Sequence, residues 1–252
     1  KWKAVSGAGE YQVYRAGTRN GTYKQLGPTT QPNYTDTPAS TGYTYFYRIK
    51  AVSRVKTAAN SVYSDAVGAI SHCARPVVTP DYLASTGKPY LKWKAVSGAG
   101  EYQVYRAATK GGTYKMLGTT TKLNYTDTTA STGYTYFYRI KAVSRVRTAA
   151  NSVYSDAVGA ISHCAKPVVE ITTSGGKPKL TWSAVSGAAG YQVYRATSSG
   201  GTYTKIADTT AKTYTDQTAK AGTTYYYQVK AVSKVKTSAN SSFSVVKSIQ
   251  AK

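Results

Sequence analysis

Histidine, cysteine and acid are all scarce in this chain: 252 residues contain two His, two Cys and ten Asp plus Glu. Hydrolysis or group transfer needs paired carboxylates, an activated nucleophile with a base, or a metal, and little of that material is present. No phosphate-cradling glycine loop, HExxH or GxSxG string occurs. No apolar run approaches the roughly 18 residues of a spanning helix, and no signal-peptide pattern opens the chain. The sequence therefore predicts a non-catalytic protein without cofactor, metal or membrane insertion.

What the chain has in abundance is tyrosine, 25 residues, and Lys plus Arg, 33 residues, for a formal charge of +23. It is also repetitive. Trp2 lies in KWKAVSGAGEYQVYR, Trp93 in the same string, and Trp182 in TWSAVSGAAGYQVYR, 91 and 89 residues apart. Units of that size can bury small cores of their own, so the expected domains are 1–75, 76–166 and 167–252. The first two copies differ at only 10 of 78 aligned positions, and neighbours so alike are prone to pair strands wrongly while folding. Each copy carries +7 or +8, so basicity belongs to the repeat and not to a local patch. Because Lys1 aligns with Lys92, the chain starts within a repeat and is expected to be part of a longer protein.

Cys73 and Cys164 occupy equivalent places, one per copy, about a domain apart, which disfavours a bridge within the chain. A disulfide between chains through Cys73 or Cys164 stays open. His72-Cys73 and His163-Cys164 fall at the junctions, and two adjacent ligands do not complete a tetrahedral metal site. Asp36, Asp127 and Asp216 recur in a YTD string, and this repetition points to turn chemistry.

Short alternating segments separated by Gly, Pro, Asn, Asp and Ser give an all-β reading with no helix. In the complete second copy, strands are expected at 77–80, 89–95, 101–107, 114–119, 123–127, 134–144 and 154–162, labelled A, B, C, C′, E, F and G. Seven strands fit a Greek-key sandwich, with the first copy lacking strand A and most of strand B. Period-two alternation turns Tyr136, Tyr138, Ile140 and Ala142 inward together with Tyr102, Val104 and Trp93, each buried indole and hydroxyl then needing a hydrogen-bond partner.

This layout of Trp93, Tyr102-Gln103-Val104-Tyr105-Arg106, Tyr125-Thr126-Asp127 and Thr132-Gly133-Tyr134-Thr135-Tyr136-Phe137-Tyr138-Arg139-Ile140-Lys141-Ala142 resembles a fibronectin type III, immunoglobulin-like domain. It is most similar to tandem versions in secreted and cell-surface proteins of Gram-positive gut bacteria. The resemblance implies a secreted or cell-surface location, and it matches Tyr45, Tyr136 and Tyr225 to the family's tyrosine corner. No Arg-Gly-Asp tripeptide is present, so the integrin motif of some animal members does not carry over.

The candidate ligand site is a surface ridge. Outward positions of strand F and its extension are Arg48, Lys50, Arg54 and Lys56, then Arg139, Lys141, Arg145 and Arg147, then Lys230, Lys234 and Lys236. Tyr14, Tyr105 and Tyr194 on strand C flank them, giving cations beside aromatic faces that suit an anionic polysaccharide or host surface protein, and less readily nucleic acid. The bland alternative is an ordinary solvent face whose basic side chains protect edges. Short proline-bearing junctions, Arg75-Pro76 and Lys166-Pro167, predict a monomeric rod about 90–100 Å long. The expected role is a non-catalytic spacer or accessory array attached to other domains of a longer parent chain, with a dedicated binding module as the alternative.

Overall fold

The computed structural model describes residues 1–252, all-β with every strand pairing antiparallel and no α-helix. By density of contacts it divides into two compact units. One holds Lys1–Pro76, Ala95–Gln103 and Ile140–Ser155; the other holds Val77–Lys94, Val104–Arg139 and Asp156–Lys252. The division passes through the middle of the second sequence copy.

The first copy contributes one sheet of four strands, β1 (Ala8–Ala16), β2 (Lys24–Thr29), β3 (Thr44–Ser53) and β4 (Val67–Ile70), ordered β2-β1-β3-β4. More than strand A is missing here, because residues 30–36 do not form strand E either. In the other copies strand E pairs with strand B. Here only the hydrogen bond from Trp2 N to Pro32 O, 3.0 Å, remains of that edge. The uncovered inner face, with Trp2, Tyr11, Val13, Tyr47 and Ile49, lines a cavity of about 910 Å³.

The second copy forms seven strands: β5 (Val78–Tyr82), β6 (Pro89–Trp93), β7 (Ala99–Ala107), β8 (Lys115–Thr120), β9 (Asn124–Thr126), β10 (Thr135–Ser144) and β11 (Val158–Ile161). The third repeats them as β12 (Val169–Ser174), β13 (Lys177–Trp182), β14 (Ala188–Ala196), β15 (Thr204–Thr209), β16 (Thr213–Thr215), β17 (Thr224–Ser233) and β18 (Lys247–Gln250). Each seven splits into a three-stranded sheet, β5-β6-β9 or β12-β13-β16, and a four-stranded sheet, β11-β10-β7-β8 or β15-β14-β17-β18.

The alternation expected for strand F holds from Tyr138 onward: Tyr138, Ile140 and Ala142 are fully buried, while Arg139 and Lys141 between them are not, and Tyr136, expected inside, is only half-buried. In the third copy Leu180, Trp182, Tyr191, Val193, Tyr225, Tyr227 and Val229 make one core, with Trp182 packed edge-on to Tyr191 at 5.2 Å. Each tyrosine hydroxyl there is used. Tyr191 accepts from Val185 N at 2.9 Å, Tyr225 accepts from Lys220 N at 3.2 Å, and Tyr227 donates to Asp216 at 2.8 Å. The Tyr225 bond, with its equivalents from Ser40 N to Tyr45 and Ser131 N to Tyr136, is the tyrosine corner. The expectation that every indole is satisfied fails: Trp2 and Trp182 bury Nε1 without an acceptor, and each ring packs edge-on to one tyrosine, Tyr11 or Tyr191.

Strand G is shorter than expected at its start, and the reason is chemical. In residues 151–155 the hydroxyls do part of the ladder's work: Ser152 N donates to Ala142 O while Ser152 Oγ accepts from Ala142 N at 2.8 Å. Ser155 does the same for Ile140, with its Oγ accepting at 2.9 Å. Ser241 and Ser244 repeat this in the third copy, and Ser61 and Ser64 in the first. The only departures from strand and coil are single 3₁₀ turns, Thr148–Ala150 and Thr237–Ala239.

Candidate functional site

The β1–β3 register puts Tyr14 directly opposite Arg48 and Gln12 opposite Lys50, so the ridge residues of the first copy meet on one face. In the third copy Tyr194 faces Gln228, and Gln192 faces Lys230. The alternating pattern that hides Tyr11 and Val13 forces these neighbours outward.

The cations are already paired with rings from two loops that the sequence reading did not include. Arg48 lies over Tyr23 at 4.4 Å and Lys50 over Tyr63 at 5.6 Å. Arg139 lies over Tyr114 at 4.4 Å, Lys141 over Tyr154 at 5.6 Å, and Lys230 over Phe243 at 5.3 Å. Tyr14 packs edge-on to Tyr63 and Tyr194 to Phe243. The loop tyrosines are fixed from behind, since Tyr23 donates to Arg19 O and Tyr114 to Lys110 O. Repetition of Tyr23, Tyr114 and Tyr203 after each β-turn was the available signal, but only the fold shows that they lie beside strand F.

This arrangement changes the chemistry on offer. A ring face covered by guanidinium is not free to stack on a sugar or base, while the guanidinium edge keeps donors that an anion can approach. The face thus presents half-buried cations of fixed position in Arg48, Lys50, Arg139, Lys141 and Lys230.

The rest of the predicted ridge is drawn elsewhere. Arg54 Nε donates to Ala8 O at 3.0 Å and Arg145 Nε to Ala99 O at 2.9 Å. Within the first unit, Arg147 Nε donates to Gly42 O at 2.7 Å and Nη1 to Thr44 Oγ1 at 3.2 Å. Within the second, Lys236 Nζ donates to Thr135 Oγ1 at 2.7 Å. Arg147 and Lys236 thus tie one copy to the next, whereas Arg54 and Arg145 bond within their own copies. Lys56 and Lys234 are exposed, and Tyr105 is half-buried on β7.

The recurring aspartates are buried pivots as well as turn residues. Asp127 accepts from Arg106 at 2.7 Å, Tyr138 at 2.8 Å and Thr129 N at 3.0 Å. Burial pushes its carboxyl up, and hydrogen bonds from Thr129, Arg106 and Tyr138 outweigh that, leaving it below the usual carboxylate range. Burial, with the Asp127 charge and hydrogen bond, pushes the Tyr138 hydroxyl far up. Asp216 with Arg195, Tyr227 and Thr218 is a second example.

Cys73 and Cys164 are free and buried, and burial pushes both thiols up, which leaves little thiolate for a disulfide with another chain. No three His, Cys, Asp or Glu side chains converge as a metal site would.

No family model matches the chain. Exoglucanase B of Cellulomonas fimi is 30% identical over 246 residues, 88% of this chain and 21% of that enzyme. An amylopullulanase of Thermoanaerobacter thermohydrosulfuricus is 35% identical over 109 residues, 42% of this chain and 7% of the enzyme. The chain thus spans a small fraction of the length of these relatives. Among solved structures, a Fn3-like protein from Clostridium thermocellum is 40% identical, covering 35% of this chain and 94% of that one, with a TM-score of 0.32.

Proposed function

We propose that this chain, which belongs to the fibronectin type III family, is a non-catalytic spacer or accessory region of a larger extracellular bacterial protein that acts on polysaccharide. The observation that carries this reading is the likeness to Exoglucanase B, which runs through 88% of this chain yet occupies only 21% of the enzyme. What is shared is one section of a longer multidomain chain. On this reading the modules are 1–75, 76–166 and 167–252, each set by its own Trp and its own Arg–Asp–Tyr pivot. Incubating the purified chain with cellulose, starch and pullulan tests it. Neither sugar release nor retention on the insoluble polymer is expected, and release of reducing sugar would overturn it.

A second reading, a binding module for an anionic glycan, wall polymer or host protein, is favoured by one observation: the equivalent cations Lys50, Lys141 and Lys230 are held on aromatic rings in all three copies. Identical weak contacts repeated along a chain gain avidity on a repetitive target. Retention on an acidic polymer that vanishes for a single-copy competitor of equal charge would support this reading.

A further inference from the structure

Two junctions in this chain are built alike. In the first unit, Val146 sits so close to Gly42 that a Cβ there would lie 2.6 Å from it, and Thr41 sits equally close to Gly98. Cys73 N donates to Ala150 O at 2.8 Å, and the His72 ring lies 3.3 Å from Asn151 O. In the second unit Val235 meets Gly133, Thr132 meets Gly187, Cys164 N donates to Ala239 O at 2.8 Å, and the His163 ring lies 3.3 Å from Asn240 O. One partner always offers a Thr-Gly turn and a Ser-His-Cys end; the other offers a glycine and the loop after strand F.

The first copy carries that loop unchanged apart from Lys for Arg: Arg54-Val55-Lys56-Thr57-Ala58-Ala59-Asn60 against Arg145-Val146-Arg147-Thr148-Ala149-Ala150-Asn151. Nothing sits on it. Gly7, the counterpart of Gly98 and Gly187, has φ +78° and no atom within 4 Å of an added Cβ. Ala59 is exposed where Ala150 and Ala239 are fully buried, and the 3₁₀ turn of the other two loops is absent.

The opposite end of the third copy differs chemically. Ala221 stands where the first two copies have Thr41 and Thr132. Gly222, counterpart of Gly42 and Gly133, is open, yet its carbonyl is already taken by Gln250 Nε2 at 2.8 Å. The first two copies have Ile70 and Ile161 in place of Gln250, and in the first junction the matching carbonyl, Gly42 O, accepts from Arg147.

We propose that Gly7 and residues 54–60 form a docking surface for the Thr-Gly and Ser-His end of another repeat of this kind, and that Ala221 and Gln250 close that end of the third copy. The occupant follows from the two junctions already present, since the same residues meet the same partner twice. On this reading the first copy presents a receptive face and the third a closed one, a difference that decides which copies can stack on a further repeat.

The test restores the closed end and looks for association between chains. A short linker supplies an effective concentration on the order of millimolar, so sedimentation velocity must extend to about 1 mM. The unaltered chain stays monomeric. Ala251 and Lys252 stand where the other copies have Ser and His, so the variant Ala221→Thr, Gln250→Ile, Ala251→Ser and Lys252→His, extended by the Cys-Ala of the other copies, associates in a concentration-dependent way, with an apparent association constant at least about tenfold higher, and adding Val55→Asp returns it to monomer. Should that variant lose cooperative unfolding, the same replacements with Gln250→Ala in place of Gln250→Ile remove the cap without adding bulk and are judged by the same criterion. A folded variant that stays monomeric at about 1 mM, or one whose association ignores Val55→Asp, overturns the proposal.

Discussion

Arg106 and Asp127 meet at 2.7 Å across the sandwich edge, with the carboxylate almost wholly buried and the guanidinium about a quarter exposed. Removing one partner of such a pair strands the other, at a cost of about 3 kcal/mol, the lower end of the usual range because Arg106 retains some water. Asp127→Ala is therefore expected to lower the unfolding free energy of that copy by this amount, read as a fall in its urea midpoint, and Arg106→Lys, which keeps the charge, to lose only part of it. Unfolding followed by intrinsic fluorescence measures both.

The same carboxylate gives a pH signature. Because its folded pKa lies below the unfolded value of about 4, its contribution is complete above that pH and disappears as pH falls through the folded value. Urea midpoints recorded from pH 6 to 2 should fall more steeply for the unaltered chain than for Asp127→Asn. Parallel curves would refute this.

His163 has the opposite charge logic. Burial lowers its pKa, assisted by nearby Lys236 and opposed by the Asn240 carbonyl. The unfolded chain then takes up the proton first, so stability is full above about pH 6.5 and declines as pH drops towards the folded value. His163→Gln should flatten that stretch of the stability profile. The imidazole proton resonances of the native protein supply a direct titration.

Ser155→Ala leaves the buried Ile140 N–H without its acceptor and should cost about 1–3 kcal/mol. Ser64→Ala removes the equivalent bond at an exposed site and should cost much less. Hydrogen exchange at Ile140 and Ile49 would display the difference residue by residue.

If the ridge binds a polyanion, affinity should fall at least about tenfold between 50 and 200 mM salt. Gln in place of Arg48, Lys50, Arg139, Lys141 and Lys230 should abolish it with little effect on folding, since the third copy already has Gln228 at the Arg48 position. Arg145 and Arg147 are poor choices for this test, because both hold backbone carbonyls. Retained binding in the quintuple variant would remove the idea.

Strand parity was readable because it depends on neighbours in sequence: Tyr102 and Val104 go in, while Gln103 and Tyr105, alternating with them, do not. Long-range partners were not. The Tyr23 ring under Arg48 is 25 residues away in the chain, and the Arg147 bond to Gly42 spans 105. The Asn-Ser-x-x-Ser string was visible three times, but a serine that replaces a strand partner looks in sequence like any turn serine. The absence of strand E from the first copy was not legible either, because its residues Tyr34-Thr35-Asp36 match those of the other copies and the strand forms only where strand B is there to pair with it.

The hydroxyls of Ser152 and Ser155 bear on how near-identical neighbours stay apart. By filling the β10 amide positions from a segment that is not itself a strand, they leave no flat row of donors and acceptors there for a foreign segment to copy. Strand exchange between the first two copies, which their shared sequence invites, would have to displace four hydrogen bonds before forming its first.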